Sequence, residues 1–171
     1  MWFLRTRQFK TVHLEPKYVE RADYLLIRDS LPEYLYGVIT FAYTYGCRFS
    51  EILNLTWEDV DRDLWKINMN RMTMGGDIKR TIILNDELKI IFSQLWEERL
   101  KKNKIYVFLN SRKTSKINNF RREFNRAFKK TTVNRFNFYD LRRTSVINML
   151  KAGYTARQII DVNGYNILYR I

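Results

Sequence analysis

Cysteine occurs once in this 171-residue sequence, at Cys47, histidine once, at His13, and proline and glycine only two and six times. A lone cysteine excludes an intramolecular disulfide and suits a reducing compartment. A lone histidine, sitting in the N-terminal lead-in, argues against histidine-held metals and His-based triads, so no metal and no cofactor are expected. So few Pro and Gly residues leave little room for linkers or low-complexity segments, and no internal repeat is visible. Long apolar runs are missing too. The opening MWFLRTRQFK is too short a run for a signal peptide, and no window approaches the roughly 20 apolar residues of a membrane span. These absences predict a soluble, cytoplasmic protein with no membrane partner.

What is abundant is apolar mass and positive charge. Hydrophobic residues at 46% and aromatics at 15% give enough to build one domain with a real core. The formal net charge is +13, from 31 Lys and Arg against 18 Asp and Glu. Such a balance favours polyanionic partners, nucleic acid first among them. A generally basic surface with no partner remains the plainer alternative. Distribution weighs against it: residues 112–143 hold eleven basic side chains and two acidic ones, Glu123 and Asp140.

The chain reads as an extended lead-in over residues 1–13 followed by a mostly helical α+β unit over 14–171, with a small antiparallel sheet. Pro16 suits the first turn of a helix reaching about Ser30. Pro32 opens a second helix, EYLYGVITFAYTYG, apolar on nearly all sides and hence buried. Gly46 interrupts it, and Ser50 is positioned to cap the next turn. The alternation of Trp65, Ile67 and Met69 predicts a strand, and KRTIIL with the following Asn85 a second, joined through Gly75-Gly76 as a hairpin with a long tip. Asp86 begins a helix through about Lys102, with Leu88, Ile91 and Leu95 on one face. IYVFL (105–109) reads as a short buried element. In INNFRREFNRAFKK, Ile117, Phe120, Phe124, Ala127 and Phe128 form an apolar stripe opposite Arg121, Arg122, Arg126 and Lys129. Such a basic face suits a nucleic-acid backbone, or is simply solvated. Two further helices follow: NFYDLRRTSVINMLKAG, ended by Gly153, and TARQIIDVNG, capped by Thr155 and stopped by Gly164.

Two arginines stand where packing alone would not place them. Arg48 follows the Gly46 break, and Arg142 lies one turn into an otherwise apolar helix. Guanidinium is always charged, and its planar fork holds two phosphate oxygens at once. Two forks from distant segments can stabilise the charge that develops when a phosphodiester is attacked. The alternative for each is an ordinary ion pair, Arg48 with Glu51 and Arg142 with Asp140.

With those residues in view, the sequence resembles the tyrosine recombinases of the phage-integrase family. YTYGCRFSEILNLTWEDVD is similar to the family's first arginine motif, T-G-x-R-x-S-E-x-x-x-L-x-W-x-D-I-D. FYDLRRTSVINMLKAGYTARQIIDVNGY is similar to its second, H-D-L-R-R/H-T followed by a helix and L-G-H. IKRTIILNDEL resembles its second hairpin strand, and VFLNSRKTSKINNFRREFNRAF its DNA-facing segment. The order and spacing hold over residues 14 to 165. The resemblance implies the tyrosine recombinase catalytic-domain fold and site-specific DNA recombination or integration of the kind mobile elements use. Double-stranded DNA is the implied partner, alongside further recombinase subunits or copies of this chain, at the nucleoid. It implies covalent catalysis, in which a tyrosine hydroxyl attacks a DNA phosphate and forms a 3′-phosphotyrosine. Arg48 and Arg142 become the phosphate clamp. Lys113, Lys116, Arg121, Arg122 and Arg143 become DNA contacts.

The same comparison exposes departures. The family's histidine before D-L-R is Tyr139, a phenol that hydrogen-bonds but is a poor base with a free pKa of about 10. The later histidine or tryptophan is Tyr165. RMTMGGDIKR carries Arg71, Met72, Thr73 and Met74 where the hairpin lysine stands, leaving Lys79 on the returning strand as the nearest substitute. By family spacing the nucleophile falls beyond Ile171, and Tyr169 is early. The sequence therefore reads as a catalytic domain trimmed at both ends, lacking the preceding helical clamp and the C-terminal tyrosine segment. Two functions follow from it. One is a recombinase domain with strand cleavage lost or incomplete; the other is a non-catalytic DNA-binding protein derived from an integrase. An unrelated RNA-associated protein is the third reading, disfavoured because the aromatics fall in core stripes.

Overall fold

The computed structural model describes residues 17–73, 76–100 and 104–164. His13, Pro16, the lead-in, Tyr165 and Tyr169 lie outside them. Seven helices and three strands are assigned among the described residues: α1 (Arg21–Ser30), α2 (Tyr36–Tyr45), α3 (Phe49–Leu53), β1 (Val60–Asp61), β2 (Lys66–Thr73), β3 (Gly76–Ile83), α4 (Asp86–Leu100), α5 (Arg121–Lys129), α6 (Phe138–Lys151) and α7 (Ala156–Asn163). The expected mostly helical α+β architecture with a small antiparallel sheet is what forms.

Helix α2 is the axis of the fold. Every residue from Gly37 to Tyr43 is buried, as is Tyr45, so its apolar sequence has neighbours on all sides. Helix α6 lies against it, with α1, α3 and α4 packed around. Three helix starts differ from expectation, one being α5, whose expected first residues 117–120 are not helical. The segment before α1 is extended through Glu20, because Val19 is buried and its N–H donates to Thr144 Oγ1 of α6 at 2.9 Å. Tertiary docking there takes the donor that an earlier helical turn would have used. Pro32 opens a short 3₁₀ turn, Glu33–Leu35, before α2 itself begins.

The sheet is antiparallel in the order β1-β2-β3. Ile67 and Met69 face the core while Asn68 and Asn70 are exposed, the period of a strand with one wet face. Pairing continues to Thr73↔Gly76, so only two residues separate the strands and the tip is short rather than long. Trp65 is not part of the strand. It sits at φ 50° in the turn entering β2, and the short strand β1 pairs beyond it. Asn85 caps α4, accepting the Leu88 N–H at 3.0 Å. In 105–109 the expected buried element is only half so: Val107 and Phe108 are buried, whereas Ile105 is 65% exposed. Backbone bridges Thr56↔Tyr106 and Leu109↔Lys116 fix this segment instead of a full strand.

A chain of phenylalanine rings completes the core beneath α5. Phe49 meets Phe120 at 5.2 Å and Phe138 at 5.1 Å between centroids, Phe120 meets Phe124, and Phe124, Phe128 and Phe136 form a tight trio. Mostly edge-to-face contacts of this kind add about 0.5–1.5 kcal/mol per pair to the burial of the rings themselves.

Candidate active site

The site begins with a glycine. Gly46 ends α2 in the left-handed region, φ 62°, and a Cβ there would lie 3.0 Å from the Arg142 carbonyl oxygen and from Ser145 Cβ. Only glycine lets α6 approach this closely. Beyond it Cys47 is buried, and Arg48, half-buried, is the N-cap of α3. The expected cap, Ser50, instead lies inside the first turn. Capping comes from Glu51, whose carboxylate reaches back to accept the Arg48 N–H at 2.8 Å.

Helix α6 meets this turn with polar side chains already committed. Asn137 and Asp140 close a reciprocal capping box: Asn137 N–H donates to Asp140 Oδ2 at 2.8 Å, and Asp140 N–H to Asn137 Oδ1 at 3.0 Å. Asp140 thus serves the helix end. Arg142, 3% exposed, donates from Nη1 to the Gly46 carbonyl at 2.6 Å. Ser145 Oγ donates to Thr44 O at 2.8 Å. Arg142 and Ser145 tie α6 to the end of α2 and bring Arg142 against the backbone two residues before Arg48. Burial lowers the proton affinity of Arg142; Glu51 opposes that, and the like charges of Arg48 and Arg80 add to it.

Arg80 was not foreseen. It is 7% exposed and bridges three elements. Its Nη2 pairs with Glu51 Oε2 at 2.8 Å and touches Cys47 Sγ at 3.6 Å, its Nη1 reaches Glu51 Oε1 at 3.2 Å, and its Nε donates to Val162 O at 3.0 Å. Burial alone would raise the Glu51 carboxyl, but the Arg80 hydrogen bonds outweigh it and hold it below the usual carboxylate range. Burial likewise pushes the Cys47 thiol up to about 11 despite Arg80. Gly164, at φ 65°, is pressed so closely that a Cβ would fall 2.6 Å from Arg80 Nη1. Strand parity held the signal: Arg80 alternates in phase with Ile82 and Leu84, both buried.

The ion pair offered for Arg48 does not form, since Glu51 is taken by Arg80. Among the described residues the Arg48 guanidinium enters no salt bridge. Tyr139, 45% exposed, stands in the first turn of α6. Lys79 has the parity opposite to Arg80; it is exposed, across the ladder from Asn70. The fold therefore groups Arg48, Arg142, Glu51 and Arg80, and sends Lys79 to the other face of the hairpin. Tyr165, immediately after Gly164, lies outside the described residues.

The basic candidates divide. Arg121 and Arg122 are exposed in the first turn of α5, where the helix dipole disfavours cations, so local helix energetics do not account for them. Arg143 is half-buried beside Arg142. Lys116 reaches Asn54 Oδ1 at the end of α3 and lies over the Tyr106 ring. Lys113 is tied to Glu98 of α4 and lines a separate groove of about 700 Å³ between α4, Tyr34 and Tyr106, remote from the arginine group. Among the described residues no three His, Cys, Asp or Glu side chains are placed to hold a metal ion, and no helix is long and apolar enough to cross a membrane.

The phage integrase family model matches residues 13–168. No curated protein matches the sequence. Among solved structures, a crystal structure of XerA recombinase superposes with a TM-score of 0.73 at 21% identity, covering 88% of this chain and 57% of that one. A Tn1549 transposon integrase in complex with transposon right end DNA gives 0.73 at 16% identity, covering 96% and 62%. The catalytic domain of bacteriophage HP1 integrase gives 0.65 at 16%, covering 90% and 83%. The likeness is one of fold. The chain spans about three fifths of the length of the first two.

Proposed function

The chain belongs to the phage integrase family, and on that premise we propose that it binds duplex DNA and holds one backbone phosphate between Arg48 and Arg142 for tyrosine-mediated strand cleavage and rejoining. The observation that carries this reading is the bond from Arg142 Nη1 to the Gly46 carbonyl, which holds a buried guanidinium against the backbone two residues before Arg48, within reach of the Arg48 charge. Two like charges held together, one of them depressed by burial and by the other, make a site that an anion stabilises.

The chemistry follows from that pairing. A tyrosine oxygen attacks phosphorus, the bond from phosphorus to the 5′-oxygen breaks, and the phenolic proton departs while the leaving oxygen takes one up. The product is a 3′-phosphotyrosine and a free 5′-hydroxyl, and the reverse attack restores the strand. Arg48 and Arg142 stabilise the charge on the non-bridging oxygens in the transition state. Tyr139, exposed at the mouth of α6, donates a hydrogen bond to one of them in place of a histidine. Tyr165 is assigned the same kind of contact, and Lys79 the protonation of the leaving oxygen on condition that DNA reaches the outer hairpin face. Tyr169 is the first candidate nucleophile. Lys116, Arg121, Arg122 and Arg143 hold the flanking backbone; Lys113 joins them only on release from Glu98.

The test uses supercoiled plasmid carrying the DNA that flanks this protein's gene. After incubation and detergent denaturation, a covalent protein–DNA adduct lost in Tyr169→Phe and in Arg142→Ala would mean that a tyrosine within these 171 residues is competent. Absence of any adduct beside salt-sensitive binding would support the second reading, a non-catalytic DNA-binding protein derived from an integrase. The exposed basic face of α5, which would bind a backbone without using the arginine pair, favours that alternative.

A further inference from the structure

Arg80 satisfies four acceptors at once, from two helices and the turn between α2 and α3, in a space closed by a glycine. Nothing about strand β3 demands this. Its position could be filled by an apolar side chain like those of Ile82 and Leu84, and burying an ion pair seldom improves stability over well-packed hydrophobic residues. The chain nevertheless keeps a guanidinium there, with Gly164 held free of a Cβ that would collide with it. The other end of the pair is informative. Glu51 Oε2 accepts from Arg80 Nη2 and also from the Arg48 backbone N–H, both at 2.8 Å. One carboxylate oxygen thus joins β3 to the residue that carries the first guanidinium of the clamp. From the same arginine, Nε holds the Val162 carbonyl, two residues before Gly164.

We propose that Arg80 is a positioning residue for the phosphate clamp: through Glu51 it fixes the turn that presents Arg48, and through Val162 it fixes the end of α7, making hairpin, clamp and C-terminal helix one unit. The proposal rests on the phosphate-clamp reading for its purpose, though the coupling itself concerns groups already in contact. The orientation of Lys79 gives it a further sense. Adjacent residues of β3 face opposite ways, Lys79 outward and Arg80 inward, so one strand carries both the outer face of the hairpin and the support of Arg48.

The experiment compares wild type with Arg80→Met and Arg80→Lys, using isotope-labelled full-length protein and NMR. Amide exchange is read at Arg48 and, as controls, at Phe41 and Ala42 of α2. In Arg80→Met the Arg48 amide is expected to accelerate at least tenfold more than the control amides do. Arg80→Lys, which can reach Glu51 or Val162 but not both, is expected to fall between. A purely structural role would move the control amides together with Arg48, and that outcome overturns the proposal, as does an unchanged Arg48 rate. If Arg80→Met does not fold, Arg80→Lys decides: a wild-type Arg48 rate in that variant overturns the coupling. Inorganic phosphate is then titrated while the Arg48 Nε–Hε signal is followed. A wild-type signal indifferent to phosphate would overturn the clamp reading alone, whereas a phosphate response surviving intact in Arg80→Met would overturn the positioning role.

Discussion

Three guanidiniums and one carboxylate share the space between Gly46 and Gly164, and the carboxylate is the residue on which the others depend. Removing Glu51 leaves Arg80 charged, buried and without its main partner, a change that costs about 3–5 kcal/mol in comparable buried pairs. Glu51→Ala is expected to lower the urea midpoint accordingly, and the double variant with Arg80→Met to recover part of the loss. The same carboxyl makes stability depend on pH. Its folded pKa lies below the ordinary value of 4.5, so on acidification the unfolded chain binds the proton first. The contribution is full above about pH 4.5 and is lost as pH falls through the lower folded value. The gap in urea midpoint between wild type and Glu51→Gln should therefore narrow only in acid. Gly164→Ala combines a left-handed φ with a Cβ 2.6 Å from Arg80 Nη1. A loss exceeding about 1 kcal/mol is expected from the backbone alone.

At the scale of single elements, α5 separates stability from binding. Phe124 and Phe128 are buried on one side, Arg122 and Arg126 exposed on the other. Phe124→Ala is expected to cost about 3–5 kcal/mol in chemical denaturation. Arg122→Glu should leave stability within about 0.5 kcal/mol and weaken duplex binding in a filter or anisotropy assay. This helix was legible in the sequence because its stripe is periodic, although it starts at Arg121 rather than at 117. The same holds for α7, where Thr155 accepts from the Gln158 N–H and Gly164 closes the end as its residue type predicts. What was not legible depends on partners far along the chain. The start of α1 is set by Thr144, more than a hundred residues away, and the cap of α3 by a carboxylate that also answers to β3. Arg80 shows the limit most clearly. Strand parity pointed it inward, but only the assembled fold shows a Glu51 and a Val162 carbonyl waiting there. The family resemblance pointed to Arg48 and Arg142 from their motifs, and the departures at Tyr139 and Lys79 were visible in the sequence as departures.

Over the whole molecule, a net charge of +13 gathered largely on one stretch of chain makes association with a polyanion strongly ionic. Duplex affinity is expected to fall steeply with salt, each neutralised phosphate adding about −0.9 to the log–log slope. Arg121→Ala and Arg122→Ala together should flatten that slope measurably, and an affinity indifferent to salt would contradict the assignment of α5. The phenylalanine chain gives that helix a mechanical meaning as well. Phe124 and Phe120 carry α5 onto Phe49 and Phe138, whose immediate neighbours in sequence are Arg48 and Tyr139. Close-packed aromatic interiors are stiff and scarcely compressible. A backbone bound along α5 would therefore press through rings in series towards Arg48 and Tyr139, with the basic helix as lever arm and the rings as its fulcrum.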